Sequence, residues 1–171
     1  MATFGMKTAA IFVFLLFSSV SVSAQSKWYV APAAGFASVD RKAQLTTNIT
    51  IGHTIGESNR YRIDIWGSYI PKSDIGSVFS TAALFSLADI PLFSTNFVCA
   101  ASAGAGISKI HNKKSIDFIV PIKCFYGYSF TDNLTLGVEI SSFLNLSEVK
   151  DGGIDKIGGI PFLGLYLGIK L

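Results

Sequence analysis

Charge is scarce in this sequence. Asp, Glu, Lys and Arg make up only 15% of the 171 residues, whereas soluble domains average about 25%. The 14 basic residues are scattered and the formal net charge is only +3, so the chain lacks the basic patch that binds nucleic acid. Low charge combined with a hydrophobic share of 50% indicates a membrane protein or an exported precursor.

Long apolar runs are also missing beyond the N-terminus. Residues 1–24 resemble a signal peptide, because Lys7 supplies a positive charge, residues 9–17 are apolar and residues 22–24 offer a small-residue cleavage site. That apolar run is too short for a membrane-spanning helix, which needs about 20 residues. No later segment is long enough either, so the predicted mature chain, residues 25–171, crosses a membrane only if it does so with strands.

The rest of the chain divides into about eight runs that are separated by turn residues, which is the spacing of strands that cross a bilayer at a tilt. The predicted strands cover residues 28–38, 44–55, 60–70, 76–88, 96–110, 116–130, 134–146 and 157–171. An even number of strands is typical of single-chain bacterial barrels.

The strand pattern also indicates which side faces lipid. In the seventh run, Leu136, Val138 and Ile140 share one face, and Thr135 and Glu139 share the other. The polar face is rich in small residues, which suit the narrow interior of an eight-stranded barrel. The sequence therefore predicts an all-β, eight-stranded antiparallel up-and-down transmembrane β-barrel. A secreted soluble barrel that binds an apolar ligand is the alternative, and it requires the opposite faces to point inward.

Three segments carry a resemblance to a known family: residues 28–36 (WYVAPAAGF), 100–106 (AASAGAG) and 126–137 (YGYSFTDNLTLG). With these segments in this order, the chain resembles the small outer-membrane β-barrel proteins, such as the OmpA transmembrane domain and OmpX. The resemblance implies a monomer without cofactors in a bacterial outer membrane, inserted by the barrel assembly machinery and surrounded by outer-membrane lipids and lipopolysaccharide. The chain departs from the family by ending in Leu171 rather than in an aromatic residue.

Charged residues on the predicted inner face should pair with one another, because an unpaired charge in the lumen is costly. We expect a structural network of lumenal ion pairs. Its predicted members are Arg62, Asp64, Lys123, Glu139 and Lys170. The functional alternative, a gated pore or a proton path, needs a wider interior than eight strands enclose.

The predicted external loops are short and mostly basic. Their basic residues are Arg41, Lys42, Lys72, Lys113 and Lys114. We expect a non-enzymatic protein that supports envelope integrity and presents these loops, with a possible role in adhesion or as a surface antigen. Lipopolysaccharide phosphates or host surface molecules are the expected partners of the loops, because positive charge attracts such groups.

The enzymatic alternative is a lipid A-modifying barrel, since barrels of this size include such enzymes. That chemistry needs a nucleophilic Ser near a His that a carboxylate orients. His111 has Ser108 nearby in sequence, and His53 is the second candidate, but neither has an evident carboxylate partner. We therefore predict no catalytic, cofactor-binding or metal-binding residues.

Cys99 and Cys124 fall on consecutive predicted strands, both on the face assigned to lipid. Antiparallel pairing would place them opposite or diagonal to each other. A disulfide and two free thiols both remain open at this point, because the pair geometry is not readable from the sequence. Two cysteines without a histidine cluster do not form a zinc site.

Overall fold

The computed structural model describes residues 28–39, 42–55, 60–71, 76–92, 94–111, 114–146 and 160–171. The predicted signal peptide lies outside these residues. Eight strands are present in the described chain: β1 (Trp28–Val39), β2 (Lys42–Ile55), β3 (Tyr61–Ile70), β4 (Val78–Leu92), β5 (Ser94–Ile110), β6 (Ile116–Thr131), β7 (Leu134–Asn145) and β8 (Phe162–Lys170). Each strand pairs antiparallel with the next, and β8 pairs with β1, so that the sheet closes into a barrel. The predicted fold class is confirmed. None of the described residues forms a helix long and apolar enough to span a bilayer.

Two strand boundaries differ noticeably from the prediction. Strand β4 continues to Leu92 instead of ending at Ala88, because a β-bulge after Leu87 accommodates one extra residue and lets pairing resume at Ile90 with Cys99. Strand β8 begins only at Phe162. The residue before it is Pro161, which has no amide hydrogen to donate to the ladder, although its carbonyl accepts a hydrogen bond from the Ser38 amide at 2.9 Å.

The two faces of the sheet are opposite in chemistry. Large apolar side chains point away from the barrel axis, and Ile65, Phe118 and Leu165 have 64%, 66% and 68% of their surface exposed. The carboxylates of Asp64 and Glu139 point inward and have no exposed surface. This distribution matches the predicted assignment of faces and is the reverse of the one that a soluble barrel requires.

The barrel has two distinct ends. We call the end with Trp28 and Leu171 the terminal end; there the Leu171 amide donates to the Trp28 carbonyl at 2.9 Å. The opposite end, where β1 stops at Val39 and β6 starts at Ile116, is called the loop end. Trp28 and Leu171 lie at the same end because antiparallel strands alternate in direction and eight is an even number.

Aromatic side chains pack the interior at two levels. In the terminal half, the rings of Phe125 and Tyr166 lie 4.2 Å apart, and Tyr29 is 6.3 Å from Tyr166. Towards the loop end, the rings of Trp66 and Phe143 lie 6.4 Å apart. The lumen is therefore filled largely by side chains, as expected of a barrel with eight strands.

Candidate functional site: ion pairs inside an apolar wall

The first ion pair in the lumen lies along strand β3. Arg62 and Asp64 are two residues apart and so point to the same face. The guanidinium Nε donates to Asp64 Oδ1, and Nη2 donates to Oδ2 at 3.0 Å. This forked geometry matches a guanidinium to a carboxylate through two parallel hydrogen bonds. Both side chains are buried, so the pairing offsets the hydration free energy that each charged group loses.

Neighbouring strands complete the surroundings of this pair. Ser86 on β4 donates to Asp64 Oδ2, and its hydroxyl lies 2.7 Å from that of Ser102 on β5, which can donate to it. On the other side, the Arg62 guanidinium carbon is 3.8 Å from the centre of the Tyr29 ring, a cation–π contact. The pair is thereby connected to strands β1, β4 and β5.

Gly52 makes room for the same pair. It faces Asp64 directly across β2 and β3, and a Cβ atom at this position would collide with the Asp64 carboxylate and the Arg62 side chain. The Arg62–Asp64 pair can therefore take this position only because the residue opposite it on β2 has no side chain.

The second ion pair joins the neighbouring strands β6 and β7, and its hydrogen bonds reach β2 on the far side of the barrel. Lys123 on β6 places its Nζ atom 3.0 Å from Glu139 Oε2 on β7 and donates to the hydroxyl of Thr50 on β2. Asn48, also on β2, donates to Glu139 Oε1 at 2.8 Å. Strands β2 and β7 are separated by β1 and β8. These contacts therefore cross the lumen. The net charge of the four ionised side chains in the two pairs is zero.

The two pairs lie next to each other, because Ser102 of the first group stands directly opposite Lys123 of the second. Lys170, the fifth predicted member, lies outside these two pairs. It is half-buried at the terminal end, in register with Tyr29. Sequence reasoning did not identify the uncharged partners Tyr29, Asn48 and Thr50. The sequence indicates only that these three residues, like the charged ones, lie at the alternating strand positions that face the lumen.

The residues considered for catalysis are not brought together. Ser108 points into the lumen and bonds with Ser80 at 2.9 Å, whereas His111 is exposed at the loop end, where its amide donates to Ser77. His53 lies on the outer face, edge-on to Trp28 at 4.9 Å. Across the described part of the chain, no group of three or more His, Cys, Asp or Glu side chains is placed to hold a metal ion.

The two cysteines are free thiols in the structure, so the disulfide that the sequence left open is not formed. Cys99 stands opposite Tyr126, and Cys124 stands opposite Ala101. The register therefore offsets the cysteines by two residues. Diagonal neighbours in a sheet are about 7–8 Å apart, beyond the distance that a disulfide spans without backbone movement.

Of the predicted basic loop residues, Arg41, Lys72 and Lys113 lie outside the described residues. Lys42 is the first residue of β2 and is exposed at the loop end. Lys114 is also exposed there, and its carbonyl accepts a hydrogen bond from the Lys109 Nζ atom at 2.9 Å. The structure thus places two of the five at the same end of the barrel.

Comparison with solved structures supports the fold. The N-terminal β-barrel domain of OprF from Pseudomonas aeruginosa matches with a TM-score of 0.61 and 14% identity, covering 85% of this chain and 98% of that domain. Neisserial surface protein A (NspA) matches with a TM-score of 0.59 and 15% identity, covering 85% of this chain and 98% of that protein. No family model matches the sequence, and no curated protein matches it significantly. At these identities, the likeness establishes the fold.

Proposed function

We propose that the protein is a non-enzymatic β-barrel of a bacterial outer membrane that contributes to envelope integrity and presents its loops at the cell surface. The observation that carries this proposal is the division between an apolar outer wall and an ion-paired lumen. In water, so much exposed apolar surface would favour aggregation. In the hydrocarbon of a bilayer, the same surface is stable. Closure of the barrel also pairs the backbone N–H and C=O groups of every strand, for which lipid offers no hydrogen-bond partner.

Exposed aromatic side chains at both ends of the wall support the same placement. Membrane barrels carry such residues where the bilayer meets water. They are Trp28, Tyr61 and Phe130 at the terminal end and Phe36, Phe79 and Phe118 at the loop end. The hydrocarbon layer then lies between these two groups.

The orientation follows from the proposed route of export. Residues 1–24 would direct the chain across the inner membrane, and the barrel assembly machinery would insert it with both termini in the periplasm. The loop end then faces the cell surface. Because a closed barrel leaves no strand edge for a second copy to pair with, the protein acts as a monomer in this proposal.

Cell fractionation tests the membrane location. When the full chain is expressed in a Gram-negative host, we expect it in the outer-membrane fraction. The closed barrel should also migrate differently on a denaturing gel before and after boiling, because its apolar wall and continuous ladder resist detergent until heated.

A matched variant that lacks residues 1–24 tests the export step separately. It should remain in the cytoplasm and show no heat-dependent shift. Recovery of the full chain as a soluble periplasmic protein would contradict the proposal and favour the secreted barrel with an apolar ligand.

The basic loops provide the second test. Replacing Arg41, Lys42, Lys113 and Lys114 together with Ser should lower the affinity of the purified barrel for lipopolysaccharide by at least about tenfold at low salt, since each Lys or Arg near an anionic surface contributes about fivefold. Binding to lipopolysaccharide vesicles at two salt concentrations measures this effect, because salt screens exposed charges.

Arg60 offers the control for this measurement, since it is exposed at the terminal end. Arg60→Ser should leave binding unchanged if the loop end is the contact surface. Equal losses in both variants would mean that binding depends on overall charge, and no loss in the fourfold variant would leave host molecules as the remaining proposed partners.

A further inference from the structure

The outer wall of the barrel carries one charged side chain among the described outward-facing strand residues. Outward positions hold apolar residues, small residues, threonines, serines and one histidine, and the exception is Lys109, near the end of β5. A lysine on a lipid-facing surface is costly unless its amine reaches the headgroup layer. Its position at the loop end satisfies that condition.

The amine of Lys109 is held by a hydrogen bond, and the base of its side chain lies between apolar residues. The aliphatic part of the side chain starts between Phe79 on β4 and Ile116 on β6, its direct neighbours across the sheet. The amine turns towards the loop and donates to the Lys114 carbonyl at 2.9 Å. That hydrogen bond uses one of the three hydrogens of the ammonium group, which lies at the edge of the wall; among the described residues, it has no second hydrogen-bond acceptor.

Lys114 adds a second positive charge at this point. Its backbone is held beside the Lys109 amine by that hydrogen bond, and its own side chain is exposed. Just below, Phe79 and Phe118 expose 55% and 66% of their surface. The Lys109 amine, with the exposed Lys114 side chain on the adjoining loop, therefore borders an aromatic and aliphatic surface.

We propose that Lys109 and Lys114 bind the phosphate group of a membrane lipid in the leaflet at the loop end, with the acyl chains of that lipid lying against Phe79 and Phe118. This inference rests on the membrane location proposed above and names a specific lipid contact on the wall. Lysine ammonium groups bind phosphate as point charges. The adjacent apolar side chains favour a phosphate that carries acyl chains over a free phosphate ion.

Lipid-dependent fluorescence quenching measures such a contact. The variant Trp28→Phe with Phe118→Trp places an indole beside the site, while Trp66 stays buried in the lumen. The barrel is reconstituted in phosphatidylcholine vesicles that contain brominated phosphatidic acid or brominated phosphatidylcholine. We expect the phosphatidic acid to quench the new indole preferentially, and Lys109→Gln to lower that preference by about fivefold.

Three controls define the source of the effect. In the otherwise unchanged chain, Trp28 reports from the terminal end and should show no such preference. Arg60→Gln removes a charge at that same distant end and should leave the preference at the site intact, and Lys109→Arg should retain most of it.

Each remaining outcome has one meaning. An unchanged preference after Lys109→Gln, or an equal preference at both ends, would overturn the site. Loss of the preference on adding inorganic phosphate would show a free-ion site and would also overturn the proposal. Absence of quenching by either lipid would mean that the protein had not inserted, which is a failure of the membrane location rather than of the site.

Discussion

Asp64→Ala should lower the free energy of unfolding by about 3–5 kcal/mol, the cost of leaving a buried charge without its partner. Asp64 receives two hydrogen bonds from Arg62 and one from Ser86, and its side chain has no exposed surface. Its removal leaves the guanidinium in the lumen with the Tyr29 ring but without the carboxylate that accepts its two hydrogen bonds. Urea titration of the barrel in lipid vesicles, followed by tryptophan fluorescence, measures the change.

Two comparison variants separate pairing from general damage. Asp132→Ala removes an exposed carboxylate in the turn between β6 and β7 and should change stability by less than about 0.5 kcal/mol. The double variant Arg62→Met with Asp64→Leu removes both charges and should recover much of the loss, because apolar replacements of buried ion pairs are often tolerated. If the double variant is as unstable as Asp64→Ala, then the loss comes from packing and not from the unpaired charge.

Leu165→Arg should lower the free energy of unfolding by about 2–4 kcal/mol in a bilayer, the cost measured for arginine on a lipid-facing wall at the midplane. Leu165 lies in the middle of β8, is 68% exposed, and has only Ala34 and Val138 as direct neighbours across the sheet. The substitution therefore removes little packing, and the effect reports the solvent outside the barrel. The same urea titration in vesicles applies.

Leu146→Arg is the matched control, because Leu146 is the same residue type at the loop end, immediately after β7, with 47% of its surface exposed. Near the bilayer surface the expected cost falls to about 0–1 kcal/mol. A barrel in water would show no difference between the two positions, and that result would remove the main support for the membrane location.

The assignment of faces needed only the sequence because a strand has a period of two. Once Arg62 and Asp64 are placed on one face, Ile63 and Ile65 must lie on the other. The size difference between the faces then decided which one points outward. Closure was predictable for a related reason, since an open sheet in lipid would leave its edge groups unpaired.

The contacts of the charged side chains were less accessible to prediction. The pair of Arg62 and Asp64 is local, but Glu139 meets Asn48 from 91 residues away, and Lys123 meets Thr50 from 73 residues away. Such contacts depend on how far the strands are staggered around the closed barrel. A shift by two residues would keep every face unchanged and alter every partner across the lumen.

The cysteines show the same limit on the outer face. Their strands, their face and their proximity followed from the sequence, but the offset of two residues between Cys99 and Cys124 came from the register of β5 and β6. The space that Gly52 leaves for Asp64 is another case, since it depends on the pairing of β2 with β3.

The sequence by itself determined the number of strands, their approximate limits and the chemistry of each face, because these follow from local alternation and turn residues. Only the tertiary structure decided which lumenal charges pair, why the thiols stay apart, and that Lys109, on an otherwise uncharged wall, contacts Lys114 in the adjoining loop. The physical reason is that alternation places each side chain on a face, whereas register and closure set its neighbours, and these arise from the whole barrel at once.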